Sequence, residues 1–157
     1  LLTTFPTLRV LLTGLFVMGI IPAVGEELLF RGIIQSLLYC HWRNVHMAIG
    51  VSAFVFSAVH CQLYGLVPRW LLGILFGYVY WWTKDLRFPI LAHFCNNALT
   101  LLLLFLHQQR WIDYNVAAAT VPSRAVLAFC VVLVMVLAWC LRLLRAKVFL
   151  HAPPKLD

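Results

Sequence analysis

The stretch Ile20-Ile21-Pro22-Ala23-Val24-Gly25-Glu26-Glu27-Leu28-Leu29-Phe30-Arg31-Gly32 decides what kind of protein this is. It lies within residues 8–40, a run so apolar and so long that it reads as helix with a membrane for solvent. A carboxylate or guanidinium near the centre of a bilayer costs at least about 2.5–3.5 kcal/mol on insertion scales. Glu26, Glu27 and Arg31 therefore mark a buried polar site, not an accident of composition. The rest of the chain agrees: of 157 residues 64% are hydrophobic and 11% charged, and the mean hydropathy of +0.94 excludes an ordinary soluble domain. An integral membrane protein is expected.

Working outward, polar breaks at 41–44, 62–69, 84–87 and 107–124 separate apolar runs long enough to cross a bilayer as helices. Runs such as 125–141 are apolar all round, which argues against the alternating pattern of a membrane barrel. Pro22 and Gly25 interrupt a run too long for one ordinary crossing, so it divides into a helix ending near Gly19 and another starting near Ala23. The expected fold is thus all-α, a polytopic transmembrane bundle of about six helical segments around a polar cavity, forming a single membrane domain over 1–157. The start Leu-Leu-Thr-Thr-Phe-Pro has no initiator Met and no charged region before a cleavage site. It does not read as a signal peptide, and a piece cut from a longer chain is one expectation it leaves open.

The formal charge of +7 comes mostly from basic residues between and beyond the apolar runs, where they set orientation and do not call for nucleic acid. With Arg142, Arg145 and Lys147 in the cytoplasm, alternation puts 84–87, 41–44 and Arg9 on that side. Arg69, Arg110 and Arg124 fall on the other. The five cysteines lack C-x-x-C spacing and read as free structural thiols. Gly73 and Gly77 read as a close-packing G-x-x-x-G pair, and Tyr80, Trp81 and Trp82 as an interfacial belt.

Three patterns carry the chemistry: Glu26-Glu27-x-x-x-Arg31, Phe56-x-x-x-His60 and His93-x-x-x-Asn97. Residues at i and i+4 share a helix face, so Glu27 reaches Arg31 while His93 and Asn97 point toward one partner. Glu26 is rotated by about 100° from Glu27. The glutamate paired with arginine should stay ionised, leaving Glu26 as the better general base. His60 can orient the water that Glu26 activates. His93 and Asn97 offer N–H donors for an oxyanion on an attacked carbonyl. Each pattern alone also has a plain structural reading, since membrane charges pair and membrane histidines hydrogen-bond between helices.

Taken in order, the strings Gly25-Glu26-Glu27-Leu28-Leu29-Phe30-Arg31-Gly32, Phe56-Ser57-Ala58-Val59-His60 and Pro89-Ile90-Leu91-Ala92-His93-Phe94-Cys95-Asn96-Asn97 resemble the CAAX protease and bacteriocin-processing (CPBP, or ABI) family of intramembrane endopeptidases, over about residues 20–100. The resemblance implies an all-helical endopeptidase in which Glu26 activates water, His60 helps hold it, His93 and Asn97 form the oxyanion hole, and Glu27 and Arg31 support them. It implies a peptide or protein substrate in or on the lipid bilayer: a prenylated C-terminal peptide, a leader peptide or a transmembrane segment. The family's frequency in bacteria makes a bacterial cytoplasmic membrane the expected location. A metal-free mechanism is favoured because Asn97 is a good oxyanion donor and a poor zinc ligand; the zinc alternative would use Glu26, His60 and His93.

If every segment were a full crossing, His93 would lie near the membrane face opposite Glu26 and His60. Catalysis needs them within hydrogen-bond reach. Either the Glu26 helix begins deeper than expected, or the segment before Pro89 enters the membrane core before turning helical. Two other functions stay open from the residues alone: a proton-coupled transporter using Glu26, His60 and His93 as a relay, and a non-catalytic immunity or scaffold protein.

Overall fold

The computed structural model describes residues 4–111, and the runs beyond Trp111, including 125–141, lie outside the described residues. Four helices fill that span: α1 (Leu8–Trp42), α2 (Val45–Ala58), α3 (Leu63–Thr83) and α4 (Arg87–Gln108). Among the described residues α1, α3 and α4 are long and apolar enough to cross a membrane. α2 is not; its 14 residues rise about 21 Å, short of a hydrocarbon core of about 30 Å.

The expected division at Pro22 and Gly25 is corrected, because the first two expected segments are one helix of 35 residues. Proline brings no amide hydrogen to the carbonyl four residues earlier and crowds the preceding turn. Both problems are met here. The turn ahead of it, Leu15–Ile20, winds as a wider π-helix, and the Met18 carbonyl receives a long hydrogen bond of 3.4 Å from Asn97 Nδ2 on α4. A second π-helical stretch, Leu28–Gln35, follows Glu27 and buries Phe30, Arg31 and Gln35. The expected placement of Arg9 changes with this. Being one continuous helix, α1 carries Arg9 and the 41–44 turn at opposite ends. Hydrogen bonds between Phe5 and Gln108 and Gln109 seat the Arg9 end beside the end of α4.

α2 folds back along the second half of α1 from an Asn44 cap whose side chain accepts from His46 and Met47 backbone N–H groups. Ser52 Oγ donates to the Phe30 carbonyl at 2.9 Å, and the rings of Phe30 and Phe56 meet edge to face. α3 then runs parallel to α1, held by two side chains one turn apart. Arg31 Nη2 donates to the Gly73 carbonyl at 2.9 Å, and Gln35 Nε2 to the Gly77 carbonyl at 3.2 Å. Both glycines are needed. A Cβ on Gly73 would lie 3.0 Å from Ala53 Cβ, and one on Gly77 would lie 2.8 Å from Ile49 Cγ2 and 2.9 Å from Gln35 Oε1.

The topological difficulty with His93 resolves in the link from α3 to α4. Trp81 packs on Tyr39 near the end of α1, yet Leu86, at the N-cap of α4, already lies against Gly32. Between them the chain drops back about 10 Å along α1, seven residues at the helical rise. α4 therefore starts deep and runs antiparallel to α1, with Phe94 facing Gly19 and Asn97 facing Met18. His93 comes level with the middle of α1, where Glu26 stands.

Candidate active site

Glu26 and Glu27 occupy adjacent positions of α1 but different surroundings. Glu27 is fully buried and Glu26 half-buried, its side chain 30% exposed. Arg31, one turn on, places Nη1 2.7 Å from Glu27 Oε1 and is itself buried, with its guanidinium over the rings of Phe56 and Phe76. Pairing, a carbonyl acceptor and two aromatic faces keep this charge in the interior.

The i, i+4 reading anticipated that pair. It missed a second partner for Glu27. His93 Nδ1 sits 2.8 Å from the same Oε1, bridging α4 to α1 across 66 positions of sequence. Because a carboxylate bound to arginine accepts, Nδ1 carries the hydrogen, and Nε2 is left facing Glu26, 3.7 Å from its Oε2. Phe76 stacks on the His93 ring and Phe56 meets it edge-on, which fixes its plane. No sequence spacing links positions 27 and 93, so only their shared burial in the fold reveals the contact. The other oxygen, Glu27 Oε2, is buried with no hydrogen-bond partner among the described residues.

His60 stands in the turn that ends α2, where the helix stops short of a full crossing. Its Nδ1 lies 2.9 Å from the Phe56 carbonyl, an acceptor, so this ring too carries hydrogen on Nδ1 and leaves Nε2 as an acceptor. Asn97 lies one turn beyond His93 on α4. Its amide is anchored by the Met18 carbonyl and by Asn96 Nδ2, 3.4 Å from Asn97 Oδ1. One hydrogen of the Asn97 NH2 group remains for another acceptor.

Glu26, His60, His93 and Asn97 all line one cavity of about 600 Å³, bounded also by Met18, Pro22, Phe56 and Arg69. The sequence patterns thus meet at one concave, mainly apolar site with a few convergent polar groups, the usual form of a ligand site. Among the described residues no three His, Cys, Asp or Glu side chains are grouped so as to share one metal ion. The zinc set Glu26, His60 and His93 is not assembled in this geometry.

An all-helical membrane protein with a carboxylate–imidazole cluster lining an open cavity is the class defined by this geometry. The chain belongs to the Type II CAAX prenyl endopeptidase Rce1-like family, whose profile matches residues 8–99. It is 32% identical over 89 residues to the putative membrane peptidase YdiL of Bacillus subtilis, covering 57% of this chain and 36% of that protein. A second relative from the same organism, the uncharacterized protein YpbD, is 32% identical over 83 residues, covering 48% and 38%. The membrane-embedded CAAX protease MroQ of Staphylococcus aureus is 26% identical over 100 residues, covering 60% and 40%. The matched stretch therefore spans 36–40% of the length of these relatives. No solved structure matches. The apolar helices and this kinship with bacterial membrane peptidases make the chain an integral membrane protein of bacterial type.

Proposed function

We propose that the chain is an intramembrane endopeptidase that hydrolyses a peptide bond of a membrane-associated substrate with water activated by Glu26. The observation that carries this reading is the asymmetry of the glutamates around His93. Glu27 is committed to Arg31 and His93 Nδ1, while Glu26 faces the cavity beside His93 Nε2. A half-exposed carboxylate at a cavity wall can take a proton from water and return it to the leaving amine. His60, with its Nε2 lone pair toward the same cavity, accepts the second hydrogen of that water and fixes its direction.

The oxyanion then needs donors. Asn97 has one N–H to give. His93 presents Nε2 to the same cavity while Glu27 accepts from its Nδ1, and gives an N–H there when Nε2 also carries hydrogen. Aiming such donors at the position where negative charge develops is the largest single term in many hydrolases. The mechanism is metal-free.

Purified protein in lipid is tested against a mixed library of prenylated and unmodified peptides, with wild type compared with Glu26→Gln and with or without a chelator. Chelator-resistant cleavage that disappears in the variant is expected. Equal products from wild type and variant would remove Glu26 from the mechanism, and cleavage abolished by chelator and restored by zinc would replace it with metal chemistry.

A further inference from the structure

Pro22 stands one turn before Glu26 on α1 and lines the same cavity. A proline in the middle of a helix asks for a reason, because alanine suits such a position far better. In an α-helix the N–H of residue 22 would close on the Met18 carbonyl. Proline has no N–H to send. The turn before it widens into the π-helical stretch Leu15–Ile20, and the Met18 oxygen is met from outside the helix, by Asn97 Nδ2 of α4 at 3.4 Å.

Two further contacts shape that meeting. Phe94 packs on Gly19, where an added Cβ would lie 3.3 and 3.4 Å from its ring atoms, so α4 comes close enough for a short side chain to reach the backbone of α1. A carbonyl oxygen only accepts, so Met18 selects the Nδ2 end of the Asn97 amide. Asn96 Nδ2, 3.4 Å from Asn97 Oδ1, holds the other end. Both bonds are long, and their worth lies more in orienting the amide than in stabilising the fold. With the amide plane set, one Nδ2 hydrogen is committed to Met18 and the direction of the other is fixed.

We propose that Pro22 is a positioning residue for the hydrolysis: by withholding an N–H from the Met18 carbonyl it keeps that oxygen open to Asn97, whose remaining Nδ2 hydrogen is thereby aimed at the oxyanion. This rests on the peptidase reading above and deepens it. α1 supplies the base through Glu26 and, through a missing backbone N–H one turn earlier, orients the oxyanion donor carried by α4. An N–H restored at position 22 competes for the Met18 oxygen and lets the turn close to α-helix, which frees the Asn97 amide to rotate.

The test uses the full chain in lipid nanodiscs and two replacements that both remove the proline ring. Pro22→Ala restores the N–H. Lactic acid at position 22, introduced by stop-codon suppression, gives an ester with the methyl group of alanine and no N–H. Asn97 is followed by NMR without substrate, in protein carrying isotope-labelled asparagine, its side-chain signal assigned by its loss in Asn97→Asp. Its Nδ2 hydrogens are expected to exchange with solvent about twofold to tenfold faster in Pro22→Ala, the range of one neutral hydrogen bond, and near the wild-type rate in the ester. With peptides that wild type cleaves, Pro22→Ala should lower kcat by on the order of tenfold, less than the loss of a whole oxyanion donor, with KM little changed. The ester should recover most of that kcat. In an Asn97→Ala background Pro22→Ala should cost no further kcat. The unfolding midpoint of Pro22→Ala should hold or rise, since alanine is the better helix former; a merely structural proline would lower the midpoint and cost kcat equally in both backgrounds. Unchanged Asn97 exchange in Pro22→Ala overturns the proposal, as does an ester no better than alanine. The expected exchange pattern without cleavage of any peptide by wild type would sink the peptidase reading and leave Pro22 as the residue that orients Asn97. Glu26-dependent cleavage with Asn97 exchange untouched by Pro22→Ala would do the reverse.

Discussion

Replacing Arg31 with leucine isolates the charge arrangement on which the cavity rests. Arg31 and Glu27 are 1% and 0% exposed, so Arg31→Leu leaves a buried carboxylate without its arginine, with only the His93 N–H beside it. Breaking a buried pair from one side destabilises by about 3–5 kcal/mol. Replacing both residues with leucine removes the stranded charge. What remains unpaired is His93 Nδ1, 2.8 Å from Glu27 Oε1 in the native protein, a loss of about 1–3 kcal/mol. The double variant Glu27→Leu/Arg31→Leu should therefore be more stable than Arg31→Leu alone by roughly 2 kcal/mol, while staying inactive because His93 has lost its support. Reversible unfolding in mixed detergent micelles, followed by tryptophan fluorescence, measures both. A double variant no more stable than the single one would refute the reasoning, since it would mean that the stranded carboxylate is not the source of the loss.

Asn97→Ala should lower kcat of the peptidase by about 10²–10³, the usual effect of removing one oxyanion donor; a loss under tenfold would take Asn97 out of that role. Gly77→Ala presses a methyl group on Ile49 and Gln35 and should cost about 1–3 kcal/mol, read as a lower unfolding midpoint. An unchanged midpoint would show that α2 and α3 are not closely packed there. Glu27→Gln keeps the shape of the site but removes the anion beside His93, and a 10–100-fold fall in activity is expected, with binding of uncleaved peptide little changed. Equal losses in binding and turnover would assign Glu27 to substrate binding instead.

Much of the site was legible because helical periodicity is local. Glu27 with Arg31, and His93 with Asn97, are separated by four residues, and any helix puts such pairs on one face. The surroundings of Glu26 and Glu27 likewise differ as a rotation of about 100° requires. Pro22 was misread for the complementary reason. Whether a proline ends a helix depends on what happens to the carbonyl it leaves without a donor, and Met18 finds Asn97 in another helix, 79 positions away.

By itself, then, the sequence determined that the chain lives in a membrane, that it is helical, and which side chains share a face on each helix. Those properties follow from apolar composition and a period of 3.6 residues. Only the tertiary structure decided that Glu27 holds His93, that α4 starts deep beside Gly32, and that Glu26, His60, His93 and Asn97 line one cavity. Those contacts depend on the depth and register of one helix against another. Depth and register are set by the close approach at Gly73 and Gly77 and by the chain's drop between Trp81 and Leu86, and they leave no periodic trace along the chain.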